Sequence, residues 1–382
     1  MTSQKKTLGG NQEETKLSED IVYPTIDKNK GNSSFEITNF TEMKPQKIDW
    51  LIDGFIPQGA ITLLSGEPGT GKTTLVCKLI AYITNGEEVY EGFKPTTKGS
   101  VVIYSSEDSP NAVLMHRLFV SGVVQEKVDY LQNNFLTSPS KCLDNFFQII
   151  TERYLNNSNN DLKAIVIDPF HDFVDGDNNN SKDVAKAMQK LNAFAEKHNL
   201  AIIGIHHFSK GGKDVNLTDR VTGSVQYLAK ARVVLGAIRH EESSYFGIIK
   251  SNYGRIDKSF RYEICTRVQK YDGIDESYIT SEVIFNKYYE FFSLQNIIDN
   301  KTPLTKPEIK QKQSIEKLEN FLIENNGSYL ASNLEKDLVP SMFKSKHELR
   351  KAKENSNNIS SQRINNQWYC VYTVANENGE NE

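Results

Sequence analysis

The chain has 382 residues, a formal net charge of −4, 38% apolar and 25% charged residues. That length allows two domains plus tails. The slightly acidic balance excludes binding to nucleic acid through an overall basic field, so any such contact has to be a local patch or groove. The four cysteines, Cys77, Cys142, Cys265 and Cys370, stand at no metal-ligand or redox spacing and read as reduced thiols.

Residues 1–45 are polar and rich in Lys, Glu, Asn, Ser and Thr, which predicts a disordered arm without the apolar core of a signal peptide. No apolar run approaches the ~18 residues of a membrane helix, so a soluble, cytoplasmic protein is expected. From Asp49 to Gly59 apolar residues accumulate and lead into a first core strand. Five short Val/Ile-rich runs follow: Ile61–Ser65, Val101–Ser105, Ala164–Ile167, Ala201–Ile205 and Arg232–Leu235. Helix-like stretches separate the first four, at Lys72–Thr84, Asn111–Ser121, Leu143–Leu155 and Lys182–His198. Continuous apolar strands alternating with helices predict a mostly parallel α/β sheet buried on both faces. Phe246–Lys250 and Phe260–Ile264 read as further strands.

Composition changes near Asn300. The expected organisation is an arm over 1–45, an α/β domain over 46–295, a linker over 296–313, a small domain over 314–376 and a tail over 377–382. In the small domain, helices are predicted at Ser314–Glu324, Ser332–Leu338 and Phe343–Glu354. A hairpin is predicted from Ile359–Gln362 and Gln367–Val374 around an Asn365–Asn366 turn. Three helices and a hairpin suggest a winged helix.

GEPGTGKT places Gly66, Gly71, Lys72 and Thr73 in the G-x-x-x-x-G-K-[ST] pattern, with Glu67, Pro68, Gly69 and Thr70 between and Thr74 following. A strand precedes it and an amphipathic helix follows, which is the context a phosphate loop requires. Glycines let successive N–H groups form an anion nest, and the helix N-terminus adds partial positive charge. Lys72 would reach the β- and γ-phosphates of ATP, and the Thr73 hydroxyl would ligate Mg²⁺. The bland alternative is a glycine turn with a solvated lysine.

Three strand ends carry further chemistry. KAIVIDPF ends a strand on Asp168, expected beside the phosphate-loop strand and in the Mg²⁺ shell; the alternative is a helix-capping Asp. VVIYSSEDS ends a strand at Glu107 and Asp108. Glu107 is the candidate to orient and deprotonate a water, and Asp108 a candidate helix cap. AIIGIHHFSKGG ends on His206 and His207. His206 is the preferred γ-phosphate sensor, with a core histidine as the alternative.

This set resembles the RecA-like ATPases, most nearly the plasmid RepA-type hexameric replicative helicases of the DnaB/RecA superfamily, over roughly Lys47–Thr266. The resemblance implies ring-forming ATPases with nucleotide at subunit interfaces. It carries the catalytic acid to Glu107, the magnesium acid to Asp168, the sensor to His206 and the Gly-Ser segment to Gly223–Ser224. A trans arginine finger falls on Arg232, with Arg220 the runner-up. Where DnaB-type helicases carry Lys-x-Arg, this chain has Lys250 and Asn252, and Thr222 stands where the family has an Arg before Gly-Ser. Such rings grip single-stranded DNA with loops, here about Phe170–Asp183 and Phe208–Ser224, the latter carrying Lys210, Lys213 and Arg220. FKSKHELRKAKEN, with Lys346 and Arg350, offers a second DNA contact or a protein-docking face. The expected protein is a DNA-translocating motor of a plasmid, phage or mobile element, a homo-hexamer meeting an initiator or primase. A recombinase-like filament former and an ATP-gated DNA-binding initiator are the competing readings.

Overall fold

The computed structural model describes residues 39–90, 95–132, 143–157, 160–208, 216–221 and 224–373. The described residues fall into two units, 39–47 and 48–373. In the first, a 3₁₀ turn, Phe40–Glu42, is capped by the Asn39 side chain.

The second unit opens with a small antiparallel pair, β1 (Trp50–Ile52) and β2 (Ile56–Pro57). There follow β3 (Ala60–Gly66), α1 (Lys72–Asn85), β4 (Ser100–Ser105), α2 (Met115–Val120), β5 (Val128–Tyr130), α3 (Leu143–Ile150), β6 (Leu162–Asp168), α4 (Ser181–His198), β7 (Ala201–His207) and α5 (Val225–Lys230). Then come β8 (Val233–His240), β9 (Ser243–Ser251), β10 (Lys258–Tyr271), β11 (Ile274–Glu290) and α6 (Leu294–Ile298). Strands β3 to β11 make one sheet in the order β11-β10-β9-β8-β3-β7-β6-β4-β5. The pairs from β8 to β5 are parallel, and those from β8 to β11 antiparallel.

The apolar runs are continuous because both faces are covered. Ile61, Leu63, Ile165, Ile167 and Ile202 join residues of α3, α4 and α5 in one cluster. Their neighbours in sequence, Leu64, Ala164, Val166, Ile203 and Ile205, join α1 in the other. Alternate residues of a strand point to opposite faces, so each strand feeds both cores.

The predicted helices at 111–121 and 143–155 are both interrupted. Pro110–Leu114 and Thr151–Leu155 are π-turns abutting α2 and α3. Ser109, not Asp108, caps the first of these, accepting from the Ala112 N–H at 3.3 Å. The larger departure is the β10–β11 hairpin. Phe260–Ile264 is the inner part of a strand that runs on to Tyr271 and returns from Ile274.

The C-terminal elements are α7 (Lys306–Glu324), β12 (Ser328–Leu330), α8 (Ala331–Leu338), α9 (Lys346–Asn355), β13 (Ile359–Ile364) and β14 (Gln367–Tyr372). Helix α7 begins eight residues before the predicted Ser314, inside the expected linker. Thr305 and Glu308 form a capping box, and Pro307 sits in the first turn, where its missing N–H costs nothing. The strands pair antiparallel in the order β12-β14-β13. Asn365 and Asn366, at φ 49° and 65°, make the tight turn between β13 and β14. Leu318, Leu322, Leu334, Leu338, Phe343, Leu349, Ala352 and Cys370 form a cluster of their own.

Candidate active site

The phosphate-loop sequence leaves β3 at Gly66 and enters α1 at Lys72. Gly69 and Gly71 have φ of 78° and 75°, a conformation glycine adopts without the Cβ penalty. A Cβ on Gly71 would also strike Ile264 of β10, and one on Gly66 the Ala237 carbonyl. The loop is therefore glycine-built for both conformation and room. Its bend is pinned from two sides. Thr70 Oγ1 donates to the Glu67 carbonyl at 2.9 Å, and Tyr262 Oη donates to the Thr70 carbonyl at 2.6 Å. Pro68 and Gly69 are exposed, and Thr74 is buried with its hydroxyl 3.4 Å from Ser281 of β11.

Lys72 is buried, and its ammonium donates to the carbonyls of Gly66 at 3.2 Å and Glu67 at 3.0 Å. Burial lowers its pKa, opposed by the negative charges of Asp168, Glu107 and Glu67. An ammonium held inside the loop's curve by weakly competing carbonyls is placed to exchange them for phosphate oxygens.

Asp168 was expected on a strand beside β3. The sheet order instead puts β7 between β3 and β6. The carboxylate still meets α1, because Asp168 lies on the α1 face of its strand with Ala164 and Val166. Thr73 Oγ1 donates to Asp168 Oδ2 at 3.0 Å. Asp168 is fully buried, and its Oδ1 has no hydrogen-bond partner among the described residues. Burial raises its pKa to about 7; Thr73 lowers it, Glu107 and Asp108 raise it, and Lys72 lowers it. An orphaned carboxylate oxygen beside a threonine hydroxyl is the oxygen donor set that Mg²⁺ takes.

Glu107 lies just past the end of β4 with its side chain 45% exposed, and His207 Nε2 is 3.5 Å from its Oε1. Asp108 is committed elsewhere, in an ion pair with Arg117. The two histidines diverge as strand alternation requires. His206 continues the face of Ile202, packs on Tyr227 with ring centroids 4.6 Å apart, and buries an Nδ1 without a partner among the described residues. Desolvation lowers its pKa to about 4, which keeps it neutral. His207 continues the α1 face of Ile203 and Ile205 and meets Glu107. The preferred sensor His206 thus points to the side of the sheet away from α1.

Arg232 is exposed at the start of β8, its N–H bonded to the Ile61 carbonyl at 3.1 Å. That is the amino edge of the sheet, whereas the loop lies at the carboxyl edge, so Arg232 does not serve its own subunit's loop. Lys250 donates to the carbonyls of Leu228 and Ala231 at 2.6 and 2.8 Å, closing the end of α5.

Arg220 requires a correction. The sequence put it on a DNA-binding loop, but its side chain is 6% exposed and paired with Glu67. A buried arginine already paired with a carboxylate is not available to a phosphate backbone. Lys210, Lys213, Thr222 and Gly223 lie outside the described residues. Ser224 caps α5, accepting from the Gln226 N–H at 3.2 Å. On α9, Lys346 pairs with Glu335 and Arg350 with Glu354, both arginine and lysine being 78% exposed.

Sequence reasoning missed Tyr262, Ile264 and Ser281, which bring the hairpin against the loop. The Asp272–Gly273 turn dipeptide was the available signal for it.

A family model described as an AAA domain matches residues 32–213, just under half of the chain. Among solved structures, the chain is similar to one whose title describes an ATPase domain, at 12% identity and a TM-score of 0.41, covering 54% of this chain and 81% of that one. Among the described residues no helix is long and apolar enough to cross a membrane. The described residues thus form an α/β core around a mostly parallel sheet in which the histidine strand separates the phosphate-loop strand from the Asp168 strand, with Thr73 bonded to Asp168, and over residues 32–213 the chain is similar to the AAA-domain family.

Proposed function

We propose that the chain is an ATP-hydrolysing motor that moves along single-stranded DNA, a replicative helicase of a plasmid, phage or mobile element acting as a homo-hexamer. The observation that carries the hydrolytic part is the convergence of Lys72, the Thr73–Asp168 pair and Glu107 at the carboxyl edge of one sheet.

Residues Gly66 to Thr74 would wrap the triphosphate of ATP, with Lys72 exchanging its carbonyl partners for β- and γ-oxygens. Thr73 and Asp168 would hold Mg²⁺, which when bound supplies positive charge against those oxygens. Glu107 would orient the attacking water and take its proton. His207 is assigned the positioning of Glu107 and the sensing of the γ-phosphate, because His206 faces Tyr227. Arg232, exposed and at the far edge, is available to a neighbouring subunit as a finger in trans.

The DNA part rests on the C-terminal elements, read as a winged-helix-like domain over 314–376. Lys346, Arg350, Lys351 and Lys353 lie on α9, with Lys344 just before it, and the β13–β14 hairpin would be the wing. Their carboxylate partners are exposed and weakly held, so phosphates would displace them. That same face supports a second reading, an ATP-gated initiator in which DNA binding matters more than movement. An initiator or primase would be the partner of either.

The test is the ATPase rate with and without single-stranded DNA, on protein sized by light scattering. Several-fold stimulation and a six-protomer mass are expected. No stimulation together with a monomer mass would remove the motor reading. Glu107→Gln separates the two readings further. Turnover should fall by about a hundredfold or more, the usual worth of a general base, while labelled-nucleotide affinity stays within about threefold. Unchanged turnover would take Glu107 out of the chemistry, and DNA loading that survives lost turnover would favour the initiator.

A further inference from the structure

Glu67 places a carboxylate in a loop built to receive anions. Its side chain is 33% exposed, and it is one of the three negative charges acting on Lys72. Left unpaired it would repel an incoming triphosphate at short range, where the local dielectric leaves such repulsion poorly screened.

Arg220 supplies the opposite charge from the same subunit. Its Nη2 donates to Glu67 Oε1, and its guanidinium lies over the Phe208 ring, 4.9 Å from the centroid. Its Nε is buried without a hydrogen-bond partner among the described residues, so one donor remains for a further acceptor. The support beneath is continuous. The Phe208 N–H donates to the Gly66 carbonyl at 3.1 Å, and Phe208 forms a bridge with Val221. The turn Leu217–Arg220, capped by Asn216, is thereby fastened to the base of the phosphate loop. Arginine suits the position: its planar fork pairs with a carboxylate while its face stacks on an aromatic ring.

We propose that Arg220 is a positioning residue for nucleotide binding, acting in cis: it neutralises Glu67 so that the loop presents net positive charge to the triphosphate. The proposal rests on the phosphate-loop reading and differs from a finger in trans, which would leave the side chain exposed and its carboxylate unengaged.

The experiment uses the full chain, a fluorescent ATP analogue with Mg²⁺, and the variants Arg220→Gln, Glu67→Gln and the double variant. Arg220→Gln should raise Kd and KM about tenfold or more and leave kcat within about threefold. The double variant should return both constants to within about threefold of the starting protein, since the unpaired charge is gone. Such rescue is not expected of a residue that only holds the turn in place. Wild-type affinity in Arg220→Gln overturns the proposal. So does a double variant as weak as the single, including the case where both melt early. A starting protein that binds no nucleotide would instead defeat the phosphate-loop reading itself.

Discussion

Lys72→Met should reduce nucleotide affinity by roughly a hundredfold and turnover to background. Charge-assisted hydrogen bonds contribute about 1.5–3 kcal/mol each, and the ammonium is placed to make at least one, with about 1.4 kcal/mol per factor of ten. Methionine is preferable to alanine because Lys72 is buried, and a flexible apolar side chain keeps the stem's packing. The fold should survive. The carbonyls of Gly66 and Glu67 lose a donor, but the loop is still fixed by Thr70 and by the Tyr262 bond. Titration of a labelled nucleotide beside a melting curve checks both parts. Turnover retained at the starting rate would remove Lys72, and with it the loop, from the chemistry.

The loop was legible because its chemistry admits few residues: positive φ at 69 and 71, a backbone carbonyl that leaves no room for a Cβ at 66, and a cation at 72. The parallel strands were legible because burial on both faces leaves unbroken apolar runs. The outer half of the β10–β11 hairpin lacks that mark. Val268 and Ile279 face each other across it at 62% and 80% exposure, so no face alternates cleanly between apolar and polar. Arg220 escaped for a different reason. Its partner lies 153 residues away, and no local pattern shows that a turn after β7 folds back on the loop after β3. The choice between His206 and His207 depends on strand parity relative to α1, which becomes readable only once the opposite faces of β7 are assigned to their clusters.

Asp168→Asn should reverse its sign with ligand. In the free protein the buried carboxyl is raised from 3.8 to about 7, chiefly by desolvation. A raised carboxyl contributes stability in full below its unfolded pKa, and that stability is lost as pH rises through about 7. A rise of that size corresponds to about 4 kcal/mol for this fully buried group. An asparagine keeps an acceptor for Thr73 and never ionises, but it buries an NH₂ that costs about 1–3 kcal/mol without a partner. The variant should therefore be more stable than the starting protein at pH 8 in a chelator, by about 1–3 kcal/mol, and no more stable near pH 5. Saturating Mg²⁺ and nucleotide should invert the order at pH 8. Only the starting protein would then gain the binding free energy, about 4.1 kcal/mol at a thousandfold excess over Kd. Urea unfolding at four pH values, with chelator and with Mg²⁺-nucleotide, reads both effects. Parallel pH profiles for the two proteins would show that Asp168 is not the group whose ionisation opposes folding. Equal stabilisation of both by Mg²⁺-nucleotide would show that it does not hold the cation.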